Sequence, residues 1–409
     1  MKILVIGSGG RENAILHKLS ESRVGLFISP GNGGSSKYAK RVKLNNFEEI
    51  KNFCIENKID LVIVGPENPI ADGIVDYLES YNIFTIAPKL EFAYLEASKG
   101  KAKEFMKKNN IPIPNFGYFD NFNKAFEFLK SLNPPYVIKA DGLAGGKGVS
   151  IVYDLKEAKE VLKEYFEGKF KEASKKVVIE EYIDGFEISA FICMDGKDYK
   201  FIGYAKDYKK LLDNDKGPNT GGMGSYTPVE ISENLHKKII SQVVERTVEN
   251  IQGYKGFLFF GLIIKDEQPY VLEYNIRLGD PETQVLVLSW DFDFLELLIS
   301  IKEKTLNNFK INFKNKHFLN VVLASEGYPF EFKTGYEIKN LDKVDEKEVI
   351  VFHSGTEIID NKFITTGGRV LNVVGFGESK EEAREKAYKY ASIIDFENKY
   401  YRKDIGIIL

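Results

Sequence analysis

Four glycines and two lysines lie within one short stretch of the chain, residues 136–151. They are Gly142, Gly145, Gly146, Gly148, Lys139 and Lys147. The flanking apolar runs, Tyr136–Ile138 and Val149–Val152, predict two strands of one hairpin. Glycines let a backbone approach a ligand closely and point successive N–H groups at an anion. Because the lysines add fixed positive charge, this hairpin suits a polyphosphate.

The hairpin differs from a Walker A loop, in which a glycine, four further residues and Gly-Lys-Ser/Thr open a helix. Here three residues separate Gly142 from Gly146, and a strand is predicted after Gly148. A mobile turn with incidental lysines explains the stretch about as well as a phosphate site does. The choice depends on the rest of the chain.

Polar side chains alternate along a second stretch that follows a predicted strand. Residues two apart share one face of a strand, so Glu273, Asn275 and Arg277 are expected on the same side. Glu and Asn oxygens are hard ligands that suit Mg²⁺, which binds one or two carboxylates together with substrate phosphates. A buried strand would carry apolar residues at these positions. The alternation therefore predicts a metal site.

Residues 1–99 alternate strand and helix patterns, which predicts a doubly wound parallel sheet with its ligand at the carboxyl ends of the strands. Glycine turns follow three of the strands, at Gly7–Arg11, Pro30–Gly34 and Gly65–Glu67. They are expected to form a pocket for a small phosphorylated ligand. Arg11 would pair with its phosphate, and Glu67 would accept bonds from its sugar hydroxyls. Considered without its neighbours, Glu67 is more simply explained as a solvated loop carboxylate.

A dinucleotide site is the alternative interpretation of Gly7-x-Gly9-Gly10. That fingerprint requires a third glycine where the chain has Glu12. It also expects an acidic residue near the end of the second strand, where the chain has Ser29 and Pro30. Both discriminating residues are missing, so nicotinamide or flavin binding is disfavoured.

Length and composition narrow the class of protein. A chain of 409 residues implies two to four domains, and 43% hydrophobic residues is ordinary for a globular protein. The net charge of −3 argues against a nucleic-acid surface or a membrane anchor. Cys54 and Cys193 lie too far apart in sequence to suggest a disulfide framework or a zinc cluster. No stretch has the length of a membrane span or a signal sequence, so a cytoplasmic protein is expected.

A proline-rich connector, Ile111–Pro114, leads into a compact α+β unit, which predicts a separately moving lid. Its last strand, Val177–Ile179, continues into Glu180 and Glu181. A hinge there would offer backbone groups to an adenine edge and a carboxylate to ribose hydroxyls. Paired glutamates at a strand end are, however, more often only exposed charge.

The remainder of the chain is less distinctive. A long loop rich in glycine and polar residues, Lys206–Gly224, predicts a functional or disordered segment. Residues 304–316 predict a linker, and strands and a helix are expected beyond them. His353, at the end of one such strand, is expected to be structural rather than catalytic.

With these residues assembled, the chain resembles the phosphoribosylamine–glycine ligase (glycinamide ribonucleotide synthetase) family of the ATP-grasp superfamily. Nine motifs in the right order carry the resemblance from end to end. They are Gly7–Ala14, Pro30–Gly34, Gly65–Glu67, Val137–Val149, Glu180–Gly185, Gly217–Gly224, Gly279–Gln284, Gly367–Leu371 and Tyr401–Gly406. Each motif alone is weak, whereas the ordered set is highly specific.

The resemblance implies a fold class of α/β and α+β domains. These are an N-terminal substrate-binding domain (1–99), an ATP-grasp domain (100–303) with a small mobile lid (about 115–184), and a C-terminal α+β domain (304–409). It also implies a reaction in de novo purine synthesis, in which ATP drives the joining of glycine to 5-phosphoribosylamine through glycyl phosphate. Mg²⁺ or Mn²⁺ would assist. The enzyme is expected to be a cytoplasmic monomer that binds neither nucleic acid nor membrane.

The resemblance assigns roles position by position. ATP would be held by Lys99, Lys139, the loop from Gly142 to Gly148 with Lys147, and by Glu180, Glu181, Ile183 and Glu187. Glu273 and Asn275 would bind the metal. Glycine would be handled by Asp207, Arg277, Gly279 and Asp280, of which Arg277, Asp280 and Asp207 are the expected catalytic residues. Phosphoribosylamine would be faced by Gly9, Arg11, Asn32, Glu67, Asp213, Asn219 and Thr220.

The chain departs from the family pattern at a few positions. Asn13 stands where the family has His, Lys206–Lys210 where it has Gln-Asp-His-Lys-Arg, and Leu278 where it has Phe. These changes affect the fine geometry expected of the amine-substrate site, not the reaction class. Asn13 is still expected to hydrogen-bond, and Tyr208 to replace the packing of His.

Two other functions would account for part of the sequence. A related ATP-grasp carboxylate–amine ligase with another substrate would lack the N-terminal turns and the motif Gly217–Gly224. A non-enzymatic nucleotide-binding module would have no need of Glu273 and Asn275 facing the phosphates. Both are less consistent with the residues than the glycine ligase.

Overall fold

A parallel sheet forms the first part of the molecule in the computed structural model, which describes residues 1–145 and 148–407. Its elements are β1 (Lys2–Gly7), α1 (Gly10–Leu19), β2 (Gly25–Pro30), β3 (Lys40–Arg41), α2 (Phe47–Asn57), β4 (Leu61–Val64), α3 (Glu67–Ala71), α4 (Ile74–Glu79) and β5 (Thr85–Ile86). The strands lie in the order β3-β2-β1-β4-β5. Strand β1 is buried on both faces, with Leu4 in one apolar cluster and Val5 in another. The predicted parallel sheet is confirmed.

The sequence has helical patterns over residues 71–80 and 91–110, which predict one helix each, but both helices are broken in the structure. The helix expected over 71–80 is interrupted at Gly73, whose φ of 86° lies in the left-handed region. The helix expected over 91–110 is divided into α5 (Tyr94–Ala97) and α6 (Lys99–Lys108). Ser98 separates them because its backbone is extended and its side chain caps α6 by accepting a bond from the Lys101 N–H.

A small antiparallel sheet with two covering helices follows, and we call these elements the lid because they correspond to the predicted one, whose movement stays a prediction. They are β6 (Phe116–Phe119), α7 (Phe122–Lys130), β7 (Tyr136–Ala140), β8 (Val149–Val152), α8 (Leu155–Phe166) and β9 (Val177–Glu181). The strand order is β6-β9-β7-β8, and the predicted hairpin is confirmed, with Lys139 opposite Val149. The lid has its own apolar core, which includes Ile138 and Leu162. Gly146 and Lys147, in the hairpin turn, lie outside the described residues.

The centre of the molecule is an antiparallel sheet flanked by helices. Its elements are β10 (Phe186–Asp195), β11 (Tyr199–Asp207), β12 (Lys210–Leu212), β13 (Lys216–Asn219), β14 (Gly224–Thr227), α9 (Glu233–Lys238), α10 (Glu245–Val248), β15 (Lys255–Lys265), β16 (Gln268–Asn275), α11 (Thr283–Ser289) and α12 (Phe294–Glu303). A π-helical segment, Ile239–Val244, joins α9 to α10. Helices α11 and α12 were not predicted.

The C-terminal part continues the same sheet. Its elements are β17 (His317–Ser325), β18 (Val349–His353), β19 (Thr356–Ile359), β20 (Lys362–Thr365), β21 (Arg369–Gly377), α13 (Lys380–Ile393) and β22 (Lys399–Tyr400). The strand order is β16-β15-β10-β11-β14-β17-β21-β18, so the short strand β14 joins the two parts. The domain boundaries expected at 99–100 and 303–304 stay predictions.

Two segments expected to be irregular are partly ordered by contacts. The loop Lys206–Gly224 contains the antiparallel pair β12–β13. The predicted linker 304–316 packs against the core, with Leu306 fully buried and Phe313 bridged to Trp290. Both therefore hold defined positions beside the central sheet.

The structure shows the state of the two cysteines and whether any described helix could cross a membrane. Cys54 and Cys193 are free and buried, and burial raises the pKa of each thiol to about 12. Such thiols stay protonated and unreactive at neutral pH. Within residues 1–145 and 148–407, no helix combines the length and apolar character needed to cross a membrane.

Candidate active site

An ion-pair network around Arg277 joins the parallel sheet to the central sheet. The Arg277 Nε lies 3.2 Å from Glu67 Oε2, at the turn after β4. Its Nη2 donates to Glu96 Oε1 at 2.8 Å and to Asn275 Oδ1 at 3.0 Å. Glu96 Oε2 also accepts the Ile276 N–H. Glu67 is therefore not a solvated loop carboxylate, and the network places the predicted substrate and metal residues side by side.

The pKa shifts in this network favour the charged forms of Arg277 and Glu67, whereas burial raises the pKa of Glu96 despite the charge of Arg277. Burial lowers the pKa of Arg277, but the charges of Glu96 and Glu67 outweigh it, so the net shift is upward. Burial raises the pKa of Glu67, and Arg277 reverses that shift to a net lowering. Glu96 was missed by the sequence reasoning. Its only signal was a carboxylate within an apolar helical stretch, which becomes informative once Arg277 is known to lie opposite.

Asp280 connects three separate elements. Its Oδ1 accepts a bond from Gln284 Nε2 at 2.9 Å on α11 and lies 3.3 Å from Arg369 Nη2 on β21. Its Oδ2 accepts the Arg11 N–H at the start of α1. Burial raises the pKa of Asp280, but the charges of Arg369 and Arg11 outweigh this effect. The net shift is downward, so the carboxylate is ionised. Arg369 was missed as a site residue although its motif was recognised.

The candidate metal residues lie beside a lysine. Lys209 Nζ lies 3.0 Å from Glu187 Oε2 and 3.8 Å from Glu273 Oε1. Burial raises the pKa of Glu273, but Lys209, Lys139 and Lys99 together produce a net lowering. Glu273 is thus an ionised carboxylate among lysine side chains, and its metal binding stays a prediction. Lys209 was missed by the sequence reasoning.

Glu180 is buried, not exposed. Its Oε2 lies 2.8 Å from Lys139 Nζ and its Oε1 lies 3.2 Å from Lys103 Nζ, and it is 1% exposed. Burial raises its pKa, while the two lysines cause a net lowering. The alternative that both glutamates are only exposed charge is therefore wrong for Glu180. Glu181 is exposed, and its carboxylate accepts the Asn115 N–H at 2.8 Å, so its role in binding stays a prediction.

Lys99 and the glycine-rich turn meet at the base of the hairpin. Lys99 Nζ donates to the Gly142 carbonyl at 3.0 Å, and burial lowers the pKa of this lysine. A Cβ added at Gly142 would lie 2.9 Å from the Ala173 Cα, so only glycine allows that approach. Gly145 has a φ of +56°, and Gly148 packs against Ala144. Ile183, two residues after Glu181 in the sequence, is buried.

The first glycine turn is built around Glu12 rather than around a dinucleotide. The Glu12 carboxylate accepts the Gly9 N–H at 2.6 Å and the Arg11 Nε at 2.6 Å. A Cβ added at Gly65 would lie 1.9 Å from Glu12 Oε1, so the carboxylate fills the space between the two turns. Arg11 is 6% exposed and its Nη1 donates to the Leu278 carbonyl. Its pairing with phosphate stays a prediction.

The second turn is fastened to the C-terminal part. Asn32 Nδ2 donates to the carbonyls of Ser8 at 2.9 Å and His353 at 2.7 Å, and its Oδ1 accepts the Gly34 N–H. Asn13, which replaces the family's His, accepts the His353 N–H through its Oδ1 at 3.0 Å. Burial lowers the pKa of His353 to about 4, consistent with a structural neutral imidazole.

The loop Lys206–Gly224 is held by the end of the chain. Arg402 Nη1 donates to Asp215 Oδ1 at 2.9 Å, and Arg402 Nη2 lies 2.6 Å from Asp404 Oδ2. Asp213 Oδ1 accepts the Lys403 N–H, so this carboxylate meets the chain terminus. We call Arg402, Lys403 and Asp404 the C-terminal clamp.

Tyr208, which replaces a family His, is part of the same contact. The Arg402 guanidinium lies 5.0 Å from the centroid of the Tyr208 ring, and the Tyr208 hydroxyl accepts the Gly406 N–H at 2.9 Å. Tyr208 is buried, and its replacement of the packing of His stays a prediction. Further along the loop, Thr220 Oγ1 donates to the Lys209 carbonyl and Asn219 pairs with Lys210. These bonds fix the backbone that carries the predicted substrate residues.

Glu282 and Asp207 are two buried carboxyl groups near one another. A Cβ added at Gly279 would lie 2.4 Å from Glu282 Oε2, so glycine is required there. Burial, and then the charge of Asp207, raise the pKa of Glu282 to about 7. Asp207 is shifted in the same direction by burial. Glu282 was not predicted as a site residue.

This shift predicts a pH-dependent stability. The folded state binds the Glu282 proton more tightly than the unfolded chain, whose Glu titrates near 4.5, so the free energy of unfolding falls as pH rises from 4.5 through 7. Glu282→Gln removes that penalty and is expected to be more stable than wild type at pH 8 but not at pH 4. Urea midpoints at the two pH values measure it, with exposed Glu267→Gln as the control. An equal midpoint difference between Glu282→Gln and wild type at both pH values would contradict it.

Three family models match consecutive parts of the chain. They are the phosphoribosylglycinamide synthetase N domain at residues 1–96, its ATP-grasp (A) domain at 97–283 and its C domain at 318–407. The chain is 44% identical over 419 residues to the phosphoribosylamine–glycine ligase of Caldanaerobacter subterraneus subsp. tengcongensis, with 99% of each chain covered.

Two solved structures have a fold similar to that of this chain. The crystal structure of phosphoribosylamine–glycine ligase from Thermotoga maritima matches with a TM-score of 0.86 at 36% identity, covering 99% of this chain and 100% of that one. The biotin carboxylase domain of Hydrogenobacter thermophilus 2-oxoglutarate carboxylase, solved with MgADP, matches with a TM-score of 0.78 at 16% identity, covering 98% and 91%. The second likeness concerns the fold alone. The predicted fold class is confirmed.

Proposed function

The chain belongs to the phosphoribosylglycinamide synthetase family of ATP-grasp enzymes, and from that premise we propose how its residues carry out the family's reaction. The reaction is the ATP-dependent ligation of phosphoribosylamine and glycine, which makes glycinamide ribonucleotide in purine biosynthesis. The observation that carries the proposal is the clustering of Glu67, Arg277 and Glu273, with Lys99 and Lys139 near Glu273.

The proposed chemistry has two steps. The glycine carboxylate attacks the γ-phosphate of ATP, which breaks the bond to ADP and gives glycyl phosphate. The amine nitrogen of phosphoribosylamine then attacks the acyl carbon and phosphate leaves. Because acyl phosphate is already activated, the protein has to align the reactants, neutralise charge and exclude water. Alignment of bound reactants accounts for roughly 7–11 kcal/mol of such a barrier.

The ATP subsite is proposed between the lid and the central sheet. Lys99 and Lys139 would neutralise the phosphates, with the glycine turn, including Gly145, above them. Glu180 supports this role because it holds Lys139 at 2.8 Å and so fixes where the ammonium points. Ile183 and Glu187, with Glu181, would contact the adenosine.

Glu273 and Asn275 fit a divalent cation. The donor set is a carboxylate and an amide oxygen, which suits Mg²⁺ or Mn²⁺, and Glu273 has the lowered pKa of an ionised ligand. Asn275 Oδ1 is oriented by Arg277 Nη2 at 3.0 Å. When bound, the metal would supply charge neutralisation at the transferring phosphate.

The two remaining substrates are proposed to meet at Arg277. Asp207, Gly279 and Asp280 would complete the glycine subsite, and Gly9, Arg11, Asn32, Glu67, Asp213, Asn219 and Thr220 the phosphoribosylamine subsite. The 3.2 Å contact between Glu67 and Arg277 supports adjacent subsites, as acyl transfer requires. We further propose a monomer, and a cytoplasmic location, which the buried free thiols fit.

Phosphate release with each substrate omitted in turn tests the proposal. With ATP and Mg²⁺, phosphate release is expected to reach its full rate only when glycine and phosphoribosylamine are both present, because alignment of all reactants drives turnover. Mass spectrometry of the product provides the second measurement. Equal release without glycine or without phosphoribosylamine would overturn the substrate assignment.

A further inference from the structure

Asp141, at the end of β7, receives an unusual number of hydrogen bonds for a loop carboxylate. Its Oδ1 accepts from Ser98 Oγ at 2.9 Å and from the Gly100 N–H at 2.8 Å. Its Oδ2 accepts from Tyr118 Oη at 3.1 Å. Three donors from two different elements therefore converge on one side chain.

The backbone around Asp141 is pinned as well. The Lys99 N–H donates to the Asp141 carbonyl at 3.0 Å, and the Asp141 N–H donates to the Lys176 carbonyl at 3.1 Å. A Cβ added at Gly100 would lie 2.3 Å from the Tyr118 ring, so the ring packs directly on the first turn of α6. The base of the hairpin thus has a fixed position relative to that helix.

These contacts cross from the lid to the central part of the molecule. Asp141 and Tyr118 belong to the lid sheet, which has its own apolar core. Helix α6 packs on the other side, where Lys103 Nζ donates to the Val271 carbonyl and Met106 is fully buried in the central core. Lys139 lies two residues before Asp141 on the lid, and Lys99 opens α6. Asp141 therefore stands between the two lysines.

We propose that Asp141 is a positioning residue for ATP, whose carboxylate pins the hairpin base to α6 and so sets the separation of Lys99 from Lys139. This inference rests on the proposed role of those lysines in holding the phosphates. Ionised donors and acceptors make stronger hydrogen bonds, and a carboxylate at a helix N-terminus is further favoured by the helix dipole. Loss of the Asp141 carboxylate leaves both lysines and the backbone bond to Lys99 in place, but it removes the side-chain bonds that help to fix the distance between the lysines.

Asp154 offers a matched control. It also caps a helix with its carboxylate, accepting the N–H groups of Lys156 and Glu157 at the start of α8, but it lies on the exposed side of the lid. Asp141→Ala and Asp154→Ala therefore remove the same chemical group from a helix N-terminus. Only Asp141→Ala weakens the connection between the elements that carry Lys99 and Lys139.

The test measures ATP affinity directly by calorimetry, with the full chain and without the other substrates. Asp141→Ala is expected to weaken ATP binding by roughly ten-fold, the size of a lost charged hydrogen bond, while Asp154→Ala binds as wild type. The KM for ATP should rise with the Kd, and kcat at saturating ATP should fall less than KM rises. Equal affinity in Asp141→Ala and Asp154→Ala would overturn the proposal.

Tyr118→Phe keeps the inference testable if Asp141→Ala does not fold. It removes one bond to Asp141 and leaves the Ser98 and Gly100 bonds that cap α6 intact. A two- to five-fold weaker ATP affinity is expected, about half of the loss on a logarithmic scale. Unchanged ATP affinity in Tyr118→Phe would contradict the positioning role of Asp141.

Lys139→Met distinguishes failure of the inference from failure of the proposed function. If the lysine holds phosphate, Lys139→Met binds ATP far more weakly than wild type, whatever the result at Asp141. Normal affinity in Lys139→Met would overturn the proposed phosphate subsite itself. Weak affinity there, with normal affinity in Asp141→Ala, would overturn only the positioning role.

Discussion

Glu273→Ala is expected to lower ATP turnover by more than about 100-fold while the protein stays folded. Even residues that only support metal ligands change affinity or activity by about 10–100-fold, and a direct ligand is expected to exceed that. The fold should persist because Lys209 retains Glu187 as a partner at 3.0 Å after Glu273 is lost. Phosphate release across a series of Mg²⁺ concentrations, together with a thermal unfolding curve, measures both parts.

Glu267→Ala is the matched control, since it removes a carboxylate from the exposed turn between β15 and β16. It is expected to turn over ATP at the wild-type rate. Direct Mn²⁺ binding, followed by electron paramagnetic resonance, gives a readout independent of activity. Retained turnover and Mn²⁺ affinity in Glu273→Ala would remove this residue from the metal site.

Arg277→Ala is expected to damage both stability and activity. Its removal leaves Glu96, which is 9% exposed, as a buried carboxylate without its charge partner. Breaking a buried pair in this way costs about 3–5 kcal/mol of unfolding free energy. Activity should fall by about 10²–10³-fold, as when a charge-stabilising donor is removed from an active site. Urea unfolding and the ligation rate measure the two losses.

The double variant Arg277→Ala with Glu96→Gln separates the two effects. A neutral amide at position 96 still accepts the Ile276 N–H but no longer carries an unpaired charge. Most of the lost stability is expected to return, whereas the ligation rate is not. Recovery of activity in the double variant would show that Arg277 acts only through the fold, and that it does not touch substrate.

Local patterns were sufficient for the parts of the site that lie on continuous strands. The hairpin at 136–152 follows from two β-branched runs around glycines, and the structure pairs Tyr136 with Val152. Glu273 and Asn275 follow from alternation along β16. In each case neighbouring residues in the sequence are also neighbours in the structure, so a short window contains the information.

Contacts between distant parts of the chain were not predictable in this way. Glu96 meets Arg277 across 181 residues, and Arg369 meets Asp280 across 89 residues. Nothing local distinguishes Glu96 or Lys103 from a surface charge, since their burial is created by elements far away in sequence. The breaks at Gly73 and Ser98 were missed for a different reason, because side-chain periodicity persists across a change of backbone direction.

The C-terminal clamp has a consequence for the order in which the chain folds. Arg402 bonds Asp215, and Asp404 accepts the Asn214 N–H, so the loop that carries Thr220 is held by residues 187 and 190 positions away in sequence. Contacts between residues so far apart in sequence cost loop-closure entropy before they stabilise the fold. The loop is therefore expected to reach its final position late in folding, after the sheets on either side of it have formed.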